Sequence, residues 1–259
     1  MKYITQFLFT ALLAAGMVIG GLAQKTETKN DSSENASDEV KRINTAAKVL
    51  DEIMNVPDKG IPEGLLASAR CVAVVPSLIK GGFIVGGRYG KGVATCRTKS
   101  GWSGPAPFVI EGGSWGLQFG GESVDLVMLV TNDKGMRDFL TTKFKLGAGA
   151  AITAGPVGRD TAVATDPKAQ SEIVSYSRSR GVFAGIDLNG AVIKQDADAT
   201  RDLYGRVVPL KAVLLGKVPP PDGSRHFLSV VRKWTTGTTQ ASEANLQGAP
   251  NSASSSGTP

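Results

Sequence analysis

The sequence predicts an α+β fold: a strongly twisted, mainly antiparallel sheet, barrel-like at its extreme, with helices packed on it. Three observations predict it. From Arg70 onward the chain is a series of short runs rich in β-branched and aromatic residues, separated by Gly and Pro (CVAVVP, GFIVGGRYG, GVATCRT, APFVIEGG, SVDLVMLVT). Before that point, Ile43, Ala46, Ala47, Leu50, Ile53 and Met54 recur at helical spacing. And 32 of the 259 residues are glycine with no collagen-like period, so glycine serves turns and close backbone approach, well above its usual ~7% share.

The first element is an export signal. Lys2 precedes an apolar run from Phe7 to Ala23, and Gly21-Leu22-Ala23 offers small residues for cleavage after Ala23. The organisation that follows is a signal peptide over 1–23, a disordered polar linker over 24–37, one domain over 38–234 and a disordered, low-complexity tail over 235–259. The mature protein is expected in the periplasm or outside the cell. An oxidising compartment admits a bridge between the two cysteines, Cys71 and Cys96, although a pair of buried thiols fits the same pattern.

Within the domain, a helix is expected over Asp38–Asn55 and a short one over Pro62–Ala69, with proline in its first turn. Ser114 to Gly121 alternates Trp115, Leu117 and Phe119 with Gly116, Gln118 and Gly120, which reads as a strand with one bare face. Asp133–Thr142 reads as a helix, IVSYSRS as a strand, and Asn189-Gly190 as the centre of a hairpin turn. Helices over Ala197–Tyr204, Leu210–Leu215 and Ser224–Trp234 complete the domain.

Several chemistries are excluded or weakened by the residues themselves. The glycine-rich stretch GGFIVGGRYGKG, Gly81 to Gly92, lacks the Ser or Thr of a phosphate loop and breaks the dinucleotide spacing at Thr95. It reads as a glycine-bent strand pair. The only histidine, His226, lies close to the polar tail, and with two cysteines it cannot build a usual zinc site. Asp196, Asp198 and Asp202 miss the calcium-loop spacing and fit helix-start carboxylates. Glu111 and Asp125 interrupt apolar strands. Asp125 reads as a partly buried carboxylate bonded to a turn or an arginine; a hydrolase using Glu111 or Asp125 is the remaining catalytic alternative. No catalytic residue, metal or cofactor is assigned.

The formal charge is +6, and its distribution is uneven. Lys80, Arg88, Lys91, Arg97 and Lys99 lie in a segment with no acidic residue. Glycines beside Arg88 and Arg159 leave backbone N–H groups open to phosphate. If the twisted sheet gathers these segments, they form an anion-attracting face. An exported chain argues against nucleic acid as the anion.

Five stretches carry a resemblance: PDKGIPEGLLASARCVAVVPS, KGGFIVGGRYGKGVATCR, GWSGPAPFVIEGGSWGLQFGG, KFKLGAGAAITAGPVGRD and SYSRSRGVFAGIDLNGAVI. In that order, from about Val40 to Tyr204, they resemble the SYLF domain, a lipid-binding family also described as actin-binding in yeast. The resemblance implies a non-enzymatic module for phosphoinositides and other acidic lipids, working in eukaryotic relatives beside SH3 domains and actin-patch machinery. It also implies that an amphipathic N-terminal segment takes part. Here that segment is Val40–Met54, with Lys41, Arg42 and Lys48 on its polar side, and it can lie in a membrane interface or pack on the sheet.

The expected function is therefore binding of an anionic lipid or membrane surface through Lys80, Arg88, Lys91, Arg159, Arg178 and Arg180. The export signal argues against actin as the partner. A cell-envelope module that binds a protein partner through bare strand faces is the second expectation.

Overall fold

The computed structural model describes residues 27–56, 60–82, 85–115, 120–148, 151–155, 172–179, 182–184, 186 and 188–247. The expected signal peptide, Arg159, Arg180 and the middle of the Ser114–Gly121 strand lie outside the described residues.

Among the described residues, six α-helices and ten strands form an α+β fold. The helices are α1 (Glu27–Met54), α2 (Glu63–Ser68), α3 (Asp133–Phe139), α4 (Ala197–Tyr204), α5 (Leu210–Leu214) and α6 (Arg225–Gln247). The strands are β1 (Cys71–Gly82), β2 (Val85–Thr98), β3 (Gly101–Trp102), β4 (Ala106–Trp115), β5 (Gly120–Val130), β6 (Lys143–Lys145), β7 (Ile152–Ala154), β8 (Ile173–Ser179), β9 (Val182–Ala184) and β10 (Val192–Gln195). They make one sheet in the order β6-β10-β4-β2-β1-β5-β8-β7, with β3 added to β2 and β9 to β8. Every pairing is antiparallel except β7 with β8. The sheet curls into a half-barrel.

Alternation along the strands sends side chains to two faces. The inner face carries Cys71, Ala73, Val75, Leu78, Ala94, Phe108, Ile110, Val124, Leu126 and Met128, and α3 and α5 close over it. The outer face carries Val72, Val74, Val93, Val127 and Leu129, covered by α1, α2 and α6. The stripe of α1 read from its spacing is buried here: Ile43, Ala46, Ala47, Leu50 and Ile53 are fully covered and Met54 nearly so.

The glycines of β2 divide by face. A Cβ at Gly92 would stand 2.6 Å from the Val74 carbonyl oxygen and 2.7 Å from the Phe108 ring; one at Gly90 would stand 2.6 Å from Val75. Only glycine lets β2 approach the core so closely. The stretch is the strand pair expected of it, with Gly81 opposite Gly87 and Gly82 opposite Gly86.

Some boundaries and one connection differ from the sequence reading. Helix α1 begins at Glu27 rather than Asp38, and α6 runs to Gln247 rather than ending at Trp234. Once a packed stripe has nucleated a helix, each added residue closes one more backbone hydrogen bond, so polar residues can extend it. Of the strand read over Ser114–Gly121, the described ends belong to different strands: Ser114 and Trp115 to β4, Gly120 and Gly121 to β5. Asn189-Gly190 makes a turn, with the Ala191 N–H donating to the Leu188 carbonyl, but not a hairpin. Strand β9 pairs β8, and β10 pairs β4 and β6. A tight two-residue hairpin of the Asn-Gly kind needs positive φ at both central residues. Gly190 has φ +79°, whereas Asn189 does not have a positive φ.

Candidate functional site

Strand β1 bulges between Val75 and Leu78, where both neighbouring ladders shift register. Ser77 there takes φ 57°, the left-handed region. Its N–H donates to Asp125 Oδ1 at 3.1 Å, and Arg178 reaches Asp125 Oδ2 at 3.4 Å. Arg178 also pairs closely with Glu52 of α1. Burial alone would lower the Arg178 pKa, but the two carboxylates outweigh it and hold it above its ordinary value. Glu52 is held below the usual carboxylate range by the same hydrogen bond. Asp125 is thus bonded to both a turn and an arginine, pinning the bulge and the helix above it.

The cations expected to form one face do not share one. Lys80 and Arg88 stand directly opposite each other on β1 and β2, on the inner side by alternation from Leu78. Lys80 pairs with Glu122 at 3.0 Å, and Arg88 is buried at 8% exposure. Lys91 points to the outer side and pairs with Asp196 at 3.0 Å. Asp196 also caps α4 by accepting the Ala199 N–H, as a helix-start carboxylate should. Arg178 is held by Glu52 and Asp125. The cations of α1 from Lys41 onward are paired too: Lys41 with Asp38, Arg42 with Glu39 and Lys48 with Glu52. With its apolar stripe buried and these cations paired, α1 packs on the sheet and offers no apolar face to a membrane in this structure.

The pair Cys71 and Cys96 stand opposite each other on β1 and β2 and form a disulfide. Both are fully buried.

What the register does assemble lies on the outer face, past the reach of the helices. One continuous row runs Lys145, Val192, Glu111, Tyr89, Ile79, Ser123 across β6, β10, β4, β2, β1 and β5. Beside it, Lys143 stands opposite Lys194. Lys143 and Lys145 are exposed and make no ion pair among the described residues. Lys194 shares Glu111 at 2.8 Å, with both side chains about two-fifths exposed (42% and 38%). Ile79 and Tyr89 are exposed at 58% and 47%.

The next outward row is Gly113, Gly87, Gly81 and Gly121, four glycines in register on four adjacent strands. All four are exposed. A Cβ at Gly113 would find nothing closer than 3.9 Å, and one at Gly121 nothing within 4 Å. This end of the outer face is therefore a bare backbone floor, edged by an aliphatic side chain, a phenol and a cluster of lysines. It can attract anions and cover apolar surface. Glu111, engaged by Lys194, and Asp125, engaged by Ser77 and Arg178, are held as structural carboxylates.

Sequence reasoning did not single out Lys143 and Lys145. The available signal was the alternation Lys143-Phe144-Lys145, which places both lysines on one side of a strand with Phe144 on the other. Nothing in the sequence places Lys194 beside them, because that depends on the β6–β10 register.

The class the fold defines is an α+β domain: one curled, almost wholly antiparallel sheet with helices packed on both faces. The comparisons place it more closely. A family model described as "Ysc84: Las17-binding protein actin regulator" matches residues 111–234. The SH3 domain-containing YSC84-like protein 1 of Rattus norvegicus is 32% identical over 197 residues, covering 73% of this chain and 58% of that protein. Protein YSC84 of Saccharomyces cerevisiae is 31% identical over 195 residues, covering 72% of this chain and 42% of its own length. LAS seventeen-binding protein 3 of the same yeast is 32% identical over 168 residues, with 63% and 36% covered. The chain belongs to the Ysc84, or SYLF-domain, family. It spans little more than half the length of the animal relatives and less of the yeast ones.

Proposed function

We propose that this chain is a non-enzymatic, exported domain that binds anionic phospholipid surfaces. The observation that carries the reading is the cluster of Lys143, Lys145 and Lys194 on the uncovered outer face, with Lys143 and Lys145 free of ion pairs among the described residues. Each lysine close to an anionic membrane contributes about 1 kcal/mol, so three suffice for salt-sensitive attraction and not for irreversible attachment. Lys91 lies on the same face but is paired with Asp196. Lys80, Arg88 and Arg178 serve the fold through their internal partners. The buried disulfide supports export, since such bridges persist in oxidising compartments.

Vesicle co-sedimentation tests the reading: wild type against Lys143→Glu/Lys145→Glu, on neutral and anionic vesicles, at low and moderate salt. Salt-sensitive binding to anionic vesicles alone, lost in the variant, is the expected outcome. Equal binding to both vesicle types, or an unaffected variant, refutes it.

A second reading is favoured by the family's own description, which names Las17 binding. In that reading the same face takes a protein partner of the cell envelope. Crosslinking to a protein that persists without lipid distinguishes the two.

A further inference from the structure

The lysine cluster accounts for attraction but not for the neighbouring uncharged surface. Ile79 and Tyr89 face each other across β1 and β2 and are two of the three large hydrophobic residues most exposed among those described. Next to them the sheet is paved with Gly81, Gly87, Gly113 and Gly121. We propose that this patch enters the interfacial layer of an anionic bilayer, with Ile79 and Tyr89 as the inserting side chains and the glycine row as the floor that lets lipid approach the sheet. The proposal rests on the lipid-binding reading and assigns it an insertion site.

Three features select a lipid surface as the occupant. The patch is continuous with Lys145, Val192 and Glu111 through one cross-strand row, so the lysines that meet head groups and the apolar pair lie on the same face of the sheet. The amphipathic helix, the alternative inserting element, is already spent: its apolar stripe is buried on the sheet. And the exposed backbone of β1 and β2 tolerates an apolar neighbour, because both strands are hydrogen-bonded on each side at this level. Backbone groups satisfied within a ladder carry no added desolvation cost of an unpaired group when hydrocarbon comes close. Tyrosine suits the boundary, with an apolar ring and a polar tip at head-group depth.

The test uses the mature chain and vesicles of equimolar phosphatidylglycerol and phosphatidylcholine, with and without bromine on the acyl chains. Tyr89→Trp is expected to add emission that shifts to the blue on binding and is quenched by the brominated chains, above the signal of the native tryptophans. Ile79→Ser/Tyr89→Ser should fold with an unchanged melting temperature, retain salt-sensitive attraction and bind about tenfold more weakly. Salt-sensitive sedimentation with no quenching at position 89, or with the double-serine variant binding like wild type, overturns the insertion and leaves the lysine-based reading standing. No sedimentation on anionic vesicles overturns both.

Discussion

Gly92→Ala is the substitution whose effect the structure fixes most closely. The new methyl would meet the Val74 carbonyl oxygen at 2.6 Å, the Phe108 ring at 2.7 Å and Val75 at 2.8 Å. Phe108, Val74 and Val75 are all buried at 1% exposure or less, so none can swing into solvent. One of the three obstacles is backbone, and relieving it means moving β1 away from β2. Overpacking of this kind costs about 1–3 kcal/mol, and the backbone contact puts Gly92 at the upper end. In a chain of this size ~3 kcal/mol lowers the melting temperature by about 6–12 °C. Gly87→Ala on the same strand is the matched control. Its methyl would find nothing nearer than the Gly112 carbonyl oxygen at 4.0 Å, and the backbone there does not have positive φ. Restricting the unfolded chain should then make it neutral or up to about 1 kcal/mol more stable. Thermal and urea melts of the two variants beside wild type are the assay. Equal loss in both, or no loss in Gly92→Ala, would refute the division of this strand into a core-facing and an open side.

Arg178→Ala should destabilise the fold by about 2 kcal/mol in urea melts, since it leaves the partly buried Asp125 with one partner and unties α1 from β8; Lys48→Ala, whose pair is exposed, should change little. Replacing both Cys71 and Cys96 by serine should cost about 3 kcal/mol, and dithiothreitol should lower the wild-type melting temperature alone. Burial pushes the Glu39 carboxyl above its ordinary value despite Arg42 beside it. Its contribution is therefore most favourable below the unfolded pKa and declines as pH rises through the folded one, so the stability of wild type relative to Glu39→Gln should fall as pH rises from the ordinary carboxylate value through the raised one. Asp51 behaves oppositely: the Lys233 hydrogen bond, with Trp234 and Asn55, holds it low. Asp51→Asn should lose stability at neutral pH and match wild type once acid has passed the folded pKa.

Local patterns carried much of this fold in the sequence. The 3–4 spacing of Ile43 to Met54 named the buried stripe of α1, and period-two alternation in SVDLVMLV separated Asp125 from the core side of β5. The turn-and-arginine partners of Asp125 followed from its being a lone carboxylate in an apolar strand. The site was less legible, because it depends on register. Lys80 and Lys91 sit on one glycine-rich stretch, yet they fall on opposite faces, since each residue along a strand reverses direction. The bulge at Pro76 and Ser77 inserts one extra residue into β1 and so resets that alternation, and no spacing rule announces it. The lysines of β6 and β10 come from separate segments and meet only through their pairing. Likewise, the family's amphipathic segment was readable as amphipathic, but whether lipid or sheet covers it is decided by α6 and β1, which lie elsewhere in the chain.

The two long helices share one more property. Val40 of α1 lies against Gly223, just ahead of α6, and Asp51 bonds Lys233 and Trp234 one to two turns into the packed part of α6. Both helices therefore advance in the same direction. At 1.5 Å per residue, the start of α1 and the end of α6 project past one another at opposite poles, on the order of 50 Å apart. A label or fusion placed at one pole would stand clear of one placed at the other, so the domain would act as a stiff strut whose two attachment points are separated along a single axis.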